Sequence, residues 1–336
     1  MTTTIHATRT LDPAAPPTAH ARPAGGRGIP LARHMLLRRA AGAAAIAGTV
    51  PYLTLKVLWL AGHPVGVRRP ELLGQLRALN AVTVVLDACV IGLALALMLR
   101  SGRRVPAWLV LLPAWVGTGF LVPMAVVILP GTLLSVLGVG SGPGGAADPL
   151  QPWVRPLVYG GFAWQGVFLA VAFALYARDR WSAELGTGGA APGARARAVL
   201  PLLRVLAVGG SVVALLAVVL DLVAAARWGG WDTASSTAVK AALELIGVLG
   251  VTALARDTGR RAAAVAAGWI GSAVLFSWGL WGTVNTVGGT PLSAAGDPLS
   301  GLSGLCALLA GFALAVAGLV ALAGTGVARP PATVKG

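Results

Sequence analysis

The chain has 336 residues, of which 56% are hydrophobic and only 11% charged, with a mean hydropathy of +0.79. A soluble domain carries about 25% charged residues, so a soluble globular fold is excluded. The net charge of +15 sits mainly in an N-terminal segment and in short loops between apolar blocks, which argues against a nucleic-acid-binding surface. The apolar blocks run to about 20 residues, enough to cross a hydrocarbon core of about 30 Å at about 1.5 Å per residue. The sequence therefore predicts an all-α polytopic membrane protein.

Residues 1–33 are rich in Ala, Pro, Thr, Gly and Arg and poor in large apolar residues. Such a segment buries too little surface to offset its ordering entropy, so a disordered basic tail is expected. The polar region is too long for a cleavable signal, and the apolar block behind it is a full span. An eight-helix domain is expected over 34–336. Its spans fall at about 39–61, 79–99, 106–130 and 156–177, then 203–226, 238–255, 262–284 and 302–324. Pro51 interrupts the first span, and Pro113 and Pro123 the third, as membrane helices tolerate.

The bias of basic residues sets an orientation. With both termini in the cytoplasm, nineteen Lys and Arg lie in inner segments. Six lie outside, namely Arg68, Arg69, Arg77, Arg155, Arg227 and Lys240, and Lys56 remains within a span. This is the positive-inside pattern of a multi-pass plasma-membrane protein. Trp59, Trp153, Trp228, Trp231 and Trp281 fall near the outer edge and Trp108 and Trp181 near the inner one, as interfacial belts do. Trp115, Trp164, Trp269 and Trp278 lie deeper, where each indole N–H needs an acceptor or the ring serves as packing bulk. Cys89 and Cys306 both fall in spans and read as small apolar residues in packed helices.

The halves resemble one another. Leu86-Asp87 and Arg103-Arg104 recur as Leu243-Glu244 and Arg260-Arg261, both at an offset of 157. Ala114-Trp115-Val116-Gly117-Thr118 recurs as Gly268-Trp269-Ile270-Gly271-Ser272 at an offset of 154. Two parallel four-helix pseudo-repeats are expected, at about 39–177 and 203–324. Small residues on the last span, Ala307, Gly311 and Ala315 every four and Gly304, Gly311 and Gly318 every seven, suit close helix contact.

Four ionisable residues stand inside spans: Lys56, Asp87, Asp221 and Glu244. Each costs about 2.5–3.5 kcal/mol at a helix centre, so each must be paired, hydrated or, if acidic, protonated. Asn80, Thr83 and Asp87 form one polar stripe, Ser236, Lys240, Glu244 and Gly247 another, and Tyr52, Lys56 and Trp59 share a face. The functional reading places Asp87 and Glu244 as proton or cation sites in an outer-half cavity, with Lys56 and Asp221 as gate or substrate contacts and Asn80 and Thr83 beside them. The alternative is a structural ion-pair network, with Lys56 on Asp87 or Asp221 and Lys240 on Glu244. Three acids against these cations leave at least one acid unpaired.

No zinc, Walker, Gly-x-Ser-x-Gly or Cys-x-x-Cys pattern occurs, and no nucleophile or metal cluster is apparent, so neither enzymatic activity nor a metal or other cofactor is expected. The Ala/Gly/Arg/Pro-rich style and the stretch Pro51 to His63, PYLTLKVLWLAGH, resemble polytopic membrane proteins of high-GC actinobacteria with no assigned activity. The resemblance covers one span and implies no substrate. The expectation is a transporter- or permease-like protein for a small solute, ion or lipid. Its partners would be the bilayer and a solute or proton. A membrane scaffold or accessory subunit is the rival reading.

Overall fold

The computed structural model describes residues 31–128, 130–131, 137, 149–186, 194–228, 231–258, 260–290 and 298–324. The expected tail lies outside the described residues, apart from its last three positions, which are helical. Eight helices are long and apolar enough to cross a membrane, so the chain is an all-α polytopic membrane protein. They are α1 (Leu31–Leu60), α2 (Arg77–Met98), α3 (Ala107–Pro123), α4 (Val154–Gly186), α5 (Ala194–Trp228), α6 (Trp231–Arg256), α7 (Arg261–Val287) and α8 (Pro298–Gly324). Pro51 and Pro113 are accommodated within α1 and α3, whereas α3 passes after Pro123 into a π turn, Met124–Ile128. The helix α4 bends at Trp181, which leaves helical geometry.

The helices pack as two groups of four. In the first, α1 lies against α2 and α4, with α3 closing the group. In the second, α8 lies against α5 and α7, and α6 against α7 and α5. The groups meet chiefly where α3 crosses α7. The outward faces are apolar, as lipid contact requires: Val205, Val208 and Val212 of α5 are each at least 60% exposed.

Glycine makes the close crossings. A Cβ on Gly247 would lie 2.5 Å from the Gly271 Cα, and one on Gly250 would lie 2.3 Å from the Gly268 nitrogen, so α6 and α7 touch backbone to backbone. Gly311 of α8 sits as closely on Phe276 of α7, and Gly304 meets Thr283. Gly318 differs from the expected seven-residue stripe: it faces open space.

The α3–α7 seam is polar in a nearly reciprocal way. The Trp115 indole donates to the Ser272 hydroxyl at 3.1 Å, and Ser272 donates to the Trp269 carbonyl at 3.3 Å. The Trp269 indole donates to the Thr118 hydroxyl at 3.2 Å, and Thr118 donates to the Ala114 carbonyl at 2.7 Å. Each tryptophan thus reaches the hydroxyl three residues after the other. Trp278 donates to the Gly119 carbonyl at 3.1 Å and Trp164 to the Ala44 carbonyl at 2.9 Å. All four deep tryptophans therefore use their indole N–H, and the packing-bulk reading undersold them.

Beyond α1 the chain is stapled to the segment that leads into α4. Trp59 donates to the Val65 carbonyl, Arg68 N–H to the Pro149 carbonyl at 2.7 Å, and Gln151 N–H to the Gly66 carbonyl at 2.8 Å. Gly66 has φ +73°, and a side chain there would meet Val154 and Trp153. Leu55, Trp59 and Val154 form a small core beneath this cover.

Candidate functional site

Six residues drawn from the sequence gather in two places, one per four-helix group. In the first, Lys56 from α1 and Asn80 and Asp87 from α2 are buried, with Thr83 half-buried beside them. The Lys56 ammonium donates to Asn80 Oδ1 at 2.6 Å, and lies 4.8 Å from the Tyr52 ring centre and 4.9 Å from that of Trp59. Two aromatic faces and an amide oxygen thus do much of the work a counter-ion would do. Thr83 donates to the Asn80 backbone carbonyl at 2.9 Å and shares a hydrogen bond with the Tyr52 hydroxyl. Asp87 is only 4% exposed, and its Oδ2 has no hydrogen-bond partner. Among the described residues no salt bridge joins Lys56 to Asp87 or Asp221: the ammonium's short contact is with Asn80, and Asp87 acts on it at longer range through the attraction of the two charges.

In the second place, Lys240 of α6 bridges two acids: Asp221 Oδ2 of α5 at 2.5 Å and Glu244 Oε1 of its own helix at 2.8 Å. Ser303 of α8 contacts Asp221 Oδ1 and lies 3.2 Å from the Ala217 carbonyl oxygen. Glu244 is 1% exposed, and its Oε2 has no hydrogen-bond partner. Lys240, assigned to an outer loop from the sequence, belongs instead to the span Ala234–Arg256. Its charge is tolerated there because two carboxylates flank it.

Depth follows from helix length. Asp87 stands ten residues from Arg77, the start of its span, and Glu244 ten residues from Ala234, the start of its own. At about 1.5 Å per residue each stands about 15 Å along its span, near the span's middle. The two acids sit on helices of different groups. They share a position ten residues into their spans, burial, and one oxygen each without a hydrogen-bond partner.

A third charge cluster escaped the sequence reading because α4 runs past residue 177, to Gly186. Asp179 accepts from the Arg38 guanidinium at 2.9 Å, and lies 3.3 Å from His34 Nδ1 and 3.6 Å from Arg103. Arg38 is fully buried. Its i, i+4 spacing from His34 on one face of α1 was the readable signal. Arg180 donates to the Tyr176 hydroxyl at 2.5 Å and to the Val105 carbonyl at 3.0 Å, which ties α4 to the α2–α3 connection.

Other features are neutral toward function. Cys89 is exposed and Cys306 buried, both as free thiols. No group of three or more His, Cys, Asp or Glu side chains suited to a metal ion occurs among the described residues. An open apolar groove between α1 and α4, lined by Gly48, Pro51, Pro156, Leu157, Gly161 and Trp164, contains none of the six predicted site residues. No family model, curated protein or solved structure matches the chain.

Proposed function

We propose that this multi-pass membrane protein is transporter- or permease-like and moves a small solute or ion through two carboxylate sites, one in each four-helix group. One observation carries the reading: Asp87 and Glu244, at equal depth, are both buried and both keep an oxygen without a hydrogen-bond partner. Leaving a buried acceptor unmade costs about 1–3 kcal/mol, so each of these oxygens offers a place to a proton, a cation or water. Intramembrane carboxylates in this condition are characteristic of proton or cation relays, and midplane sites are characteristic of carriers built from repeats. The duplication of the two halves belongs to this reading, supported by the reciprocal tryptophan–hydroxyl contacts of the α3–α7 seam. So does insertion in the plasma membrane with both termini cytoplasmic, supported by the basic-residue bias. No catalytic step is assigned to the chain.

The test is proton movement in vesicles reconstituted with the full chain and a trapped pH dye. Amino acids, short-chain carboxylates and quaternary amines are added outside one at a time. The reading expects at least one class to drive dye-reported proton movement, lost in Asp87→Asn and Glu244→Gln proteins that remain folded. The second reading, a scaffold or accessory subunit, draws on Lys240 bridging two acids, a contact that holds helices together. It wins if no solute moves protons and the two substitutions alter only thermal stability.

A further inference from the structure

Charge does not cancel at the end of the first group where α1 begins, α2 passes into α3 and α4 finishes. Asp179 of α4 is shared by Arg38 at 2.9 Å and Arg103 at 3.6 Å, with His34 Nδ1 at 3.3 Å. Arg39 and Arg103 are both near enough to Arg38 to repel its charge. Arg180 follows Asp179 in α4, and its guanidinium lies 5.8 Å from the Tyr176 ring centre, with that of Arg38 at 5.7 Å. Four arginines thus gather around one carboxylate, and no second acid stands at this end among the described side chains of the first group. Even without His34, the cluster carries an excess of three positive charges.

The four arginines differ in what holds them. Arg38 is fully buried and donates to Asp179, while its Nε has no hydrogen-bond partner. Arg180 is half-buried and fixed by its bonds to the Tyr176 hydroxyl and the Val105 carbonyl, with the Trp181 ring centre 5.2 Å away. Arg39 is exposed, and Arg103 is 55% exposed with its approach to Asp179 beyond hydrogen-bond distance. Two fixed cations therefore stand behind two that are ready to meet another anion.

Helix length puts this end among lipid headgroups. The spans Arg33–Leu60 and Val154–Trp181 have 28 residues each, about 42 Å at about 1.5 Å per residue, against a hydrocarbon core of about 30 Å and about 40–45 Å with the headgroup regions. Their terminal turns stand at the level of phosphates, and Tyr176 and Trp181, edge to face at 5.8 Å, suit that interface. The basic-residue bias assigns this end to the cytoplasm, where acidic lipids accumulate. Planar guanidinium groups match the oxygens of a phosphate.

We propose that Arg39, Arg103 and Arg180, backed by buried Arg38, form a binding site for the phosphate of an acidic phospholipid. The excess charge disfavours a zwitterionic lipid, whose ammonium the same arginines repel. Free inorganic phosphate has the same chemistry as the lipid's, and the experiment separates the two sources. The site involves neither Asp87 nor Glu244, so it stands or falls separately from the transport reading.

For the test, the full chain is delipidated in neutral detergent and exposed to equimolar phosphatidylglycerol and phosphatidylcholine with matched acyl chains. Native mass spectrometry counts the lipid that stays bound. The parent is expected to retain phosphatidylglycerol in preference. One arginine near a membrane surface is worth about fivefold toward an acidic lipid, so Arg103→Gln and Arg39→Gln should each lower the preference by about that factor. Arg260→Gln, exposed on the connection from α6 to α7 at the same end of the second group, removes the same charge and is expected to leave the preference unchanged. Equal retention of both lipids by the parent overturns the proposal. A loss in Arg260→Gln as large as in Arg103→Gln also overturns it, because the attraction would then be diffuse. In a second arm, inorganic phosphate at the lipid's concentration is added to the loaded protein before buffer exchange. Retention is expected to hold, and displacement of the lipid would make the ligand a free anion, against the proposal.

Discussion

Replacing Lys240 by methionine removes the cation and keeps most of the side-chain volume. Lys240 is the direct partner of Asp221 at 2.5 Å and of Glu244 at 2.8 Å, so the substitution leaves buried Glu244 and half-buried Asp221 with no counter-charge. Breaking a buried ion pair by removing one partner costs about 3–5 kcal/mol. Unfolding entropy near about 2 cal/mol/K per residue then converts this into a melting shift of roughly 4–7 °C for a chain of this size. Glu244→Gln takes away only the excess carboxylate and leaves Lys240 with Asp221. Its cost is expected below about 1 kcal/mol, the scale of one hydrogen bond. The triple variant Asp221→Asn, Lys240→Met, Glu244→Gln removes every charge and is expected to recover most of the loss, because neutral replacement of a whole buried network is often neutral or stabilising. The assay is the melting midpoint from heated samples on size-exclusion chromatography in one detergent. A Lys240→Met protein no less stable than Glu244→Gln, or a triple variant no better than Lys240→Met, would refute the reasoning.

At the α6–α7 crossing, Gly271→Ala places a Cβ 2.2 Å from the Gly247 Cα and is expected to lose about 1–3 kcal/mol, whereas Gly318→Ala, in open space, leaves the midpoint unchanged or raises it. On the seam, Trp115→Phe and Trp269→Phe each delete one indole-to-hydroxyl bond, so their melting losses should match within error at about 1 kcal/mol. Unequal losses would count against the reciprocal arrangement. In the third cluster, Asp179→Asn strips the counter-ion from fully buried Arg38 and is expected to cost about 3–5 kcal/mol. Arg103→Ala, whose guanidinium is 55% exposed and 3.6 Å away, should be near silent in the same measurement.

Much of this fold was legible because crossing a bilayer is a constraint on length and apolarity that each segment meets by itself. The eight spans needed no knowledge of their neighbours. What depended on neighbours was read less well. Lys240 was counted with the outer segment, yet its pairing with Glu244 was read from the i, i+4 spacing, and the structure bears that pairing out. That Asp221 would complete the bridge depends on the rotation of α5, which a nearly uniform Val, Leu and Ala surface does not reveal. Ser303 had no signal at all, being one of two serines in the run Leu299 to Leu308. The matching Trp-x-x-Thr and Trp-x-x-Ser segments were visible, but their mutual hydrogen bonds appear only once α3 and α7 are brought together. Asp179 was missed because apolarity fades before the helix ends, and the helix carries it back over Arg38.

The central claim is that Asp87 and Glu244 exchange with water from within the span. Thiol labelling tests it most directly, in a chain with Cys89 and Cys306 replaced by alanine and a single Asp87→Cys or Glu244→Cys added, in sealed vesicles of known orientation. The account predicts that a small membrane-impermeant thiol reagent reaches each cysteine from one aqueous side, and that a control Val85→Cys on the exposed face of α2 stays unlabelled within lipid. Cysteines at 87 and 244 as unreactive as the one at 85, in proteins that remain monodisperse, would contradict it.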